Sequence, residues 1–371
     1  MRLHHFLLPI ALTATAGAQS LNIVAHEDDD LLFFSPTLLH EVQSGLSVRT
    51  IFLTAGDAGQ GADYWTSRQE GSKAAYAQMS GVANSWTQSD AGIPGFDIPM
   101  FTLDQNPGVT LVFLQLPDGN QGGEGFGSGS LQQLWQGDID SLTSWGGSSY
   151  TKDDLVNVLR QLGDDLGYSH INTQDFVNGY GDGDHSDHHT TGYFVNEAFG
   201  DCASDASITA YMGYPVTSQP ANINAATLGQ KKAAFYTYGG YDRNTCHSDQ
   251  TCSGRQEELW LQREYYVAEV DQSNCRTASA KASTKTSTMA ATKASSKAAT
   301  KASTKAVIPS ASPTHSHKVI QMAAASMTAS PSAAFQSGTP YVRFTGDSAH
   351  GMVVSGVLCV AVAILSAVAL L

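Results

Sequence analysis

Short continuous apolar runs alternate with stretches of helical spacing between residues 19 and 276. Leu21 to Ala25 is the first run and Val48 to Ala55 the second, the latter stopped by Gly56 and Asp57. Both have the length and β-branched content of buried strands. Leu111 to Leu116 predicts a third strand, closed by Pro117, Asp118 and Gly119. A weak strand follows around Ile171 to Thr173, and Ile208 to Tyr214 predicts another. Between them, Tyr64 to Met79 and Asp153 to Leu166 carry apolar residues every three or four positions, the latter through Leu155, Val158, Leu159 and Leu162. Thr190 to Phe199, Leu228 to Tyr236 and Glu257 to Val270 read as further helices, and the glycine-rich stretch 119–129 as a loop. Strands alternating with helices predict one α/β domain, a mostly parallel sheet with helices on both faces. Such sheets place ligands beyond the carboxyl ends of strands, where strand order reverses. His26, Asp57, Asp118 and the His185–His188 segment all fall just after predicted strands.

The flanks of the 371-residue chain have a different pattern. Residues 1–18 combine Arg2, an apolar stretch from Phe6 to Leu12 and the small residues Ala16-Gly17-Ala18, the layout of a secretory signal. Residues 277–351 are dominated by Ala, Ser, Thr and Lys, with Lys-Ala-Ser-Thr-Lys at 281–285 and again at 301–305. That composition predicts a disordered stalk able to carry O-glycans. Met352 to Leu371 is apolar to the last residue. It reads as a GPI-attachment signal, with a retained C-terminal membrane helix as the alternative. The expected location is the secretory pathway and the cell surface or wall, with the membrane reached through a lipid anchor or helix and the endoplasmic reticulum membrane as the alternative.

Charge follows the same boundaries. Nine of the 20 Lys and Arg residues lie outside 19–276, but only Asp347 of the 34 acids does. A domain so acidic disfavours nucleic acid as a partner and suits neutral or cationic substrates. Cys359 lies in the tail; the other four cysteines are an even set in a secretory context, which predicts disulfides. Cys246–Cys252 and Cys202–Cys275 are the expected pairs.

Two short motifs carry the chemistry. Ala25-His26-Glu27-Asp28-Asp29-Asp30 follows the first strand, and Asp184-His185-Ser186-Asp187-His188 follows the weak strand near Ile171. Together they offer the imidazoles and carboxylates that hold a catalytic zinc ion. His26 and Asp29, three apart, can reach one ion, with His188 as a third ligand. Asp28 points elsewhere and suits a base that takes a proton from water. His185 suits an acid that stabilises an oxyanion and protonates a leaving amine, with Asp187 accepting its ring N–H and raising its pKa. Two structural alternatives stand beside this reading. Asp28-Asp29-Asp30 could cap a helix, and Asp182-Gly183-Asp184 with Asp187 could form a calcium loop in a non-catalytic carbohydrate-binding protein.

The first motif resembles the Ala-His-Pro-Asp-Asp-Glu signature of the PIG-L/LmbE-like zinc-dependent N-deacetylases. His185-Ser186-Asp187-His188 resembles that family's His-Pro-Asp-His. The resemblance spans roughly residues 20–270 and takes in Thr54 to Asp57 and Tyr64 to Glu70. It implies a Rossmann-like fold, zinc held by His26, Asp29 and His188, and Asp28 as general base. It also implies His185 beside the tetrahedral intermediate and Asp187 as its partner. The implied substrate is an N-acetylated amino sugar. The family's best-known reaction, on N-acetylglucosaminyl-phosphatidylinositol, takes place on the cytosolic face of the endoplasmic reticulum; the predicted signal peptide favours an extracellular glycoconjugate or wall aminoglycan instead. Glu27 and Ser186 replace prolines of the signature, and Asp30 replaces its glutamate. Arg68 could orient a substrate hydroxyl or phosphate, or pair with Glu70 or a neighbouring acid. Asp57 and Asp118 could accept sugar hydroxyls or serve turns. His189 has no assigned role.

Overall fold

The structure, a computed structural model, describes residues 19–164, 167–200, 204 and 206–272. The predicted signal, stalk and tail lie outside the described residues, as does the expected Cys202–Cys275 pair. Among the described residues no helix is long and apolar enough to cross a membrane.

The chain begins with β1 (Gln19–Val24), α1 (Asp29–Phe33), α2 (Thr37–Gln43), β2 (Ser47–Thr54) and α3 (Ala62–Ser80). Then come β3 (Trp86–Asp90), β4 (Pro99–Leu103), β5 (Val109–Leu116), α4 (Leu131–Gln136) and the small hairpin β6 (Leu142–Thr143) with β7 (Ser149–Tyr150). α5 (Lys152–Asp164), β8 (His170–Gln174), α6 (Ser186–Phe199), β9 (Ser207–Tyr211) and a 3-10 turn at Tyr214–Ser218 follow. The domain closes with α7 (Ala225–Gly239), α8 (Asp249–Cys252), α9 (Gln256–Trp260) and β10 (Tyr266–Val270).

Eight strands form one sheet in the order β10-β9-β8-β1-β2-β5-β4-β3. The five central strands are parallel, and β10, β4 and β3 join antiparallel at the edges. The five predicted strands are these central five. Their apolar runs are continuous because both faces are covered. In β1, Leu21 and Ile23 face the core under α4, α5 and α6, while Val24 faces the core under α1, α2, α3 and α7. Each fully buried side chain of this size contributes ~1.5–3 kcal/mol relative to exposure. The predicted helix 257–270 is corrected: α9 stops at Trp260, and Tyr266–Val270 pairs with β9 as an edge strand.

The face under α1, α2, α3 and α7 also buries a polar ladder. Asn172 Nδ2 donates to Asn22 Oδ1 (2.8 Å), and Asn22 Nδ2 to Thr50 Oγ1 (3.4 Å). Thr50 Oγ1 meets Tyr76 Oη (2.5 Å), which donates to Asp30 Oδ2 (2.5 Å). These bonds tie α1 to three strands and α3, and Asn172 Oδ1 is left buried without a partner. β1 lies between β2 and β8. The chain leaves β1 toward β2 and returns on its other side at β8, so the loops after β1 and β8 part at a switch point.

Candidate metal centre

Both motifs meet at that switch point. Asp29 opens α1 directly beyond the end of β1, and its carboxylate is fixed from two sides. Oδ2 accepts His26 N–H (2.7 Å) and Gln174 Nε2–H (3.0 Å), the latter from the last residue of β8. Around it, His26 Nδ1 lies 3.1 Å from Oδ2 and His188 Nε2 3.1 Å from Oδ1. The His26 and His188 rings are 5.3 Å apart, and His185 lies 4.6 Å from His26. His26, Asp29 and His188 each offer a ligand atom within 4.8 Å of the others. His26 also belongs to a second, overlapping group with Asp118, His185 and Asp187.

The residues present fit a divalent cation. His26 Nε2 and His188 Nε2 are buried with no hydrogen-bond partner, an arrangement that costs free energy unless something is bound. Burial disfavours imidazolium, yet Asp29 and Asp187 raise His26 well above its ordinary value. Asp29 and Asp184 likewise raise His188 to about 10 against its burial. Two nitrogens and one carboxylate at this spacing suit a transition-metal cation better than calcium, which takes oxygen. His188 Nδ1 pairs with Asp184 Oδ1 (2.7 Å). That bond presents Nε2 to the centre, as outer partners of metal-binding histidines do.

Asp28 stands at the N-cap of α1 but makes no capping hydrogen bond. Its Oδ1 accepts Arg68 Nη2–H (2.8 Å) instead. Burial pushes Asp28 up to about 6, with Arg68 opposing. The guanidinium is in turn fully engaged. Nη1 donates to Gly56 O (2.5 Å) and Nε to Tyr238 Oη (2.7 Å), and Nε lies 3.1 Å from Asp242 Oδ2. Of the two readings of Arg68, the ion pair is the one formed, with Asp28 and Asp242 as partners; Glu70 pairs with Lys73. Gly56, at φ 51°, leaves room for this arginine, because a Cβ there would collide with Nη1.

The expected bond between His185 and the Asp187 carboxylate is corrected. The two stand 3.8 Å apart, and His185 Nδ1 instead accepts Asp187 N–H (3.2 Å) as the N-cap of α6. Helix geometry explains the difference, since the second residue of a helix aims its amide, not its carboxylate, at the cap. An acceptor at Nδ1 leaves the ring proton on Nε2. Burial, reinforced by the charge on His26, lowers His185 to about 4, the reverse of the expected rise. The Asp187 carboxylate accepts Gly119 N–H (2.7 Å) and lies 3.4 Å from His26 Nε2.

Asp118 faces the centre, 3.8 Å from His185 Nε2 and 3.9 Å from His26 Nε2. Asp57 stands behind it, with Oδ1 accepting Asp118 N–H (2.9 Å) and Trp145 Nε1–H (3.1 Å). His189 bonds Asp175 O and Asp182 Oδ1 outside the centre. Gln174, Gly213, Tyr238 and Asp242 were not singled out for the site from sequence, and Asp184 was given no role on His188. Asp184 had a local signal, four residues before His188 on the same motif. Gly213 had none; a Cβ there would collide with Asp184 and His188.

A donor set of this kind, beyond the carboxyl ends of parallel strands, is the equipment of a metal-dependent hydrolase. The sequence narrows the class. The model of the PIG-L family, described as GlcNAc-PI de-N-acetylase, matches residues 21–199, and that segment, β1 through α6, belongs to the family. The match ends with α6, so Gly213, Tyr238 and Asp242 complete the site from beyond it. Among solved structures, an N,N'-diacetylchitobiose deacetylase from Pyrococcus horikoshii is 15% identical, covers 65% of this chain and 75% of its own, and has a TM-score of 0.39. A deacetylase triple mutant of the teicoplanin biosynthetic pathway is 14% identical over 66% of this chain and 88% of its own, with a TM-score of 0.38. The 4-carboxy-2-hydroxymuconate hydratase from Pseudomonas putida is 13% identical over 66% and 81%, with a TM-score of 0.34. No curated protein matches the chain.

Proposed function

We propose that the domain hydrolyses the acetamide of N-acetylglucosamine-type conjugates around zinc held by His26, Asp29 and His188. The carrying observation is the convergence of His26, Asp29 and His188, each with a ligand atom within 4.8 Å of the others, His26 Nδ1 and His188 Nε2 lying 3.1 Å from the two oxygens of Asp29. A zinc ion bound there polarises an amide carbonyl and lowers the pKa of water. Asp28 takes the proton from the attacking water. Arg68 holds its Oδ1, so the other carboxylate oxygen is the one that receives it. His185 donates its Nε2–H to the oxyanion that develops on the carbonyl. Asp28 then returns its proton to the leaving nitrogen, and the products are acetate and the free amine. Asp187 positions His185 through its backbone amide rather than its carboxylate. Of the three residues expected to bind substrate, Asp118 faces the imidazoles, whereas Arg68 and Asp57 act through Asp28 and Asp118. The predicted leader and tail support an extracellular glycoconjugate or wall aminoglycan as substrate.

Metal analysis of the purified full-length chain, with acetate release measured across a panel of N-acetylated glycans, tests this reading. We expect His26→Ala to lose zinc. Asp28→Ala keeps zinc and loses turnover by about 100-fold or more. Equal zinc loss in both variants would show that the base is wrongly assigned. Calcium without zinc, and no acetate from any glycan, would leave the carbohydrate-binding alternative standing.

A further inference from the structure

The loops after β5 and β8, with the first turn of α4, enclose a space of about 430 Å3 beside the metal centre. That volume falls within the ~300–1,000 Å3 of small-molecule sites. Its wall includes Gln121, Gln132, Tyr180, Gly183, Asp184 and Ser186. Asp184 is the partner of His188 Nδ1, and Ser186 adjoins His185. The space and the centre therefore share a wall.

The lining chemistry selects a ligand. None of the lining residues is lysine or arginine, the groups that recognise phosphate. The start of α6 offers no substitute. Ser186 N–H goes to Gln121 O, Asp187 N–H to His185 Nδ1 and His188 N–H to His185 O. Asp184 adds a negative charge that repels an anion. Gln132 Oε1, an acceptor on one of the lining residues, is buried without a partner. A ligand that supplies O–H donors and no charge matches this wall.

The turn between β6 and β7 carries a flat apolar face. Trp145 is 45% exposed, yet its indole is immobilised by Nε1–H to Asp57 Oδ1, the oxygen that also holds Asp118 N–H. Its backbone N–H is fixed on Gln115 O (2.9 Å). A rigid exposed indole tied to the Asp118 loop offers a platform for the C–H face of a pyranose.

We propose that this space is a subsite for an uncharged pyranose linked to the acetylated sugar, with Trp145 extending it to a further ring. The substrate class is then a neutral oligosaccharide or polysaccharide, not a sugar phosphate or phosphoinositide. The proposal rests on the deacetylase reading of the adjoining centre.

The test compares N-acetylglucosamine, its β-1,4-linked trimer and N-acetylglucosamine 1-phosphate on the full-length, zinc-loaded protein. Acetate release gives kcat/KM, and calorimetric titration of the Asp28→Asn variant gives affinity without turnover. The trimer is expected to exceed the monosaccharide by about tenfold or more in both, which corresponds to ~1.4 kcal/mol, and the phosphate to gain nothing. Gln132→Leu and Trp145→Ala should each cut this preference several-fold, mainly through KM, with zinc content and melting temperature unchanged. Trp145→Phe should restore part of it. Equal values for monosaccharide and trimer, a preference for the phosphate, or no effect of either variant would overturn the subsite while leaving the deacetylase standing. No acetate from any sugar would remove the reading of the centre. In that event, trimer binding that is Gln132-dependent still supports the subsite, and its absence overturns it.

Discussion

Asp28 owes its orientation to Arg68, forty positions further along the chain, and Arg68 owes its own to Tyr238 and Asp242. Tyr238 Oη donates to Asp242 Oδ2 (2.7 Å), and Tyr64 Oη to Asp242 Oδ1 (3.0 Å), so a buried network stands behind the acid next to the metal centre. Outer partners of this kind are typically worth about 10–100-fold in activity or metal affinity. We expect Asp242→Asn to lower kcat by that factor, with KM within about twofold of wild type and zinc content unchanged. Steady-state kinetics with metal analysis checks this, and an unaltered kcat would show that Arg68 needs no such anchor. Asp184→Asn acts on the metal instead. With His188 less firmly oriented, zinc affinity should fall about 10–100-fold in a chelator competition. The motif residues His26, Asp28, Asp29, His185 and His188 were legible in the sequence because their types and spacing are themselves the chemistry. Asp242 and Gly213 were not, because an aspartate in a loop and a glycine after a strand have many uses. Only their contacts select one.

The element that presents Asp28 and Asp29 is α1, a five-residue helix too short to stand alone. It is held from outside. Tyr76 bonds Asp30, and Lys231 on α7 donates from Nζ to Leu32 O (2.7 Å) and Arg263 O (2.9 Å). Burial pushes Lys231 down to about 7, with Glu264 opposing. The ordinary lysine value is ~10.4. Between about pH 7 and ~10.4 the unfolded chain therefore keeps a proton that the folded chain has released, and this group's contribution to stability rises with pH across that window. Glu264 is raised by burial and acts with the opposite sign, in the acidic range. Urea unfolding at pH 7 and pH 9.5 should show this rising contribution in the native protein and not in Lys231→Met. The variant's stability should therefore fall more steeply with pH, because His188, raised to about 10, acts with the opposite sign over the same window. A similar slope in both would exclude Lys231 as its source. At this scale periodicity identified the central strands and the long helices. It failed at Glu257 to Val270, where mixed apolar spacing fits a helix and an edge strand alike, and pairing with β9 decides. It also missed β3 and β4, whose partly exposed residues carry no continuous apolar run.

Across the whole domain, the metal centre joins the loop after β1 to the loop after β8, on the two sides of the switch point. A cation that binds this arrangement and not the unfolded chain stabilises the fold by mass action, about 4 kcal/mol at a thousandfold excess over Kd. Chelator-treated protein should therefore melt on the order of 10 °C below the zinc-loaded form. Calorimetry with and without chelator checks this, and identical melting would argue against a cation shared by the two loops. The Cys246–Cys252 bridge, expected from the cysteine count, is formed. By itself the sequence determined the α/β class, the parallel centre of the sheet, and the two motifs with their metal-binding types. Those properties are local, set by which residues follow one another. The tertiary structure alone decided that His26 and His188 converge on Asp29. It also decided that Arg68 clamps Asp28, and that His185 gives its Nδ1 to a helix amide rather than to a carboxylate. Each depends on atoms that the fold brings within about 3 Å from positions far apart in the chain, and a hydrogen bond is won or lost over a few tenths of an ångström.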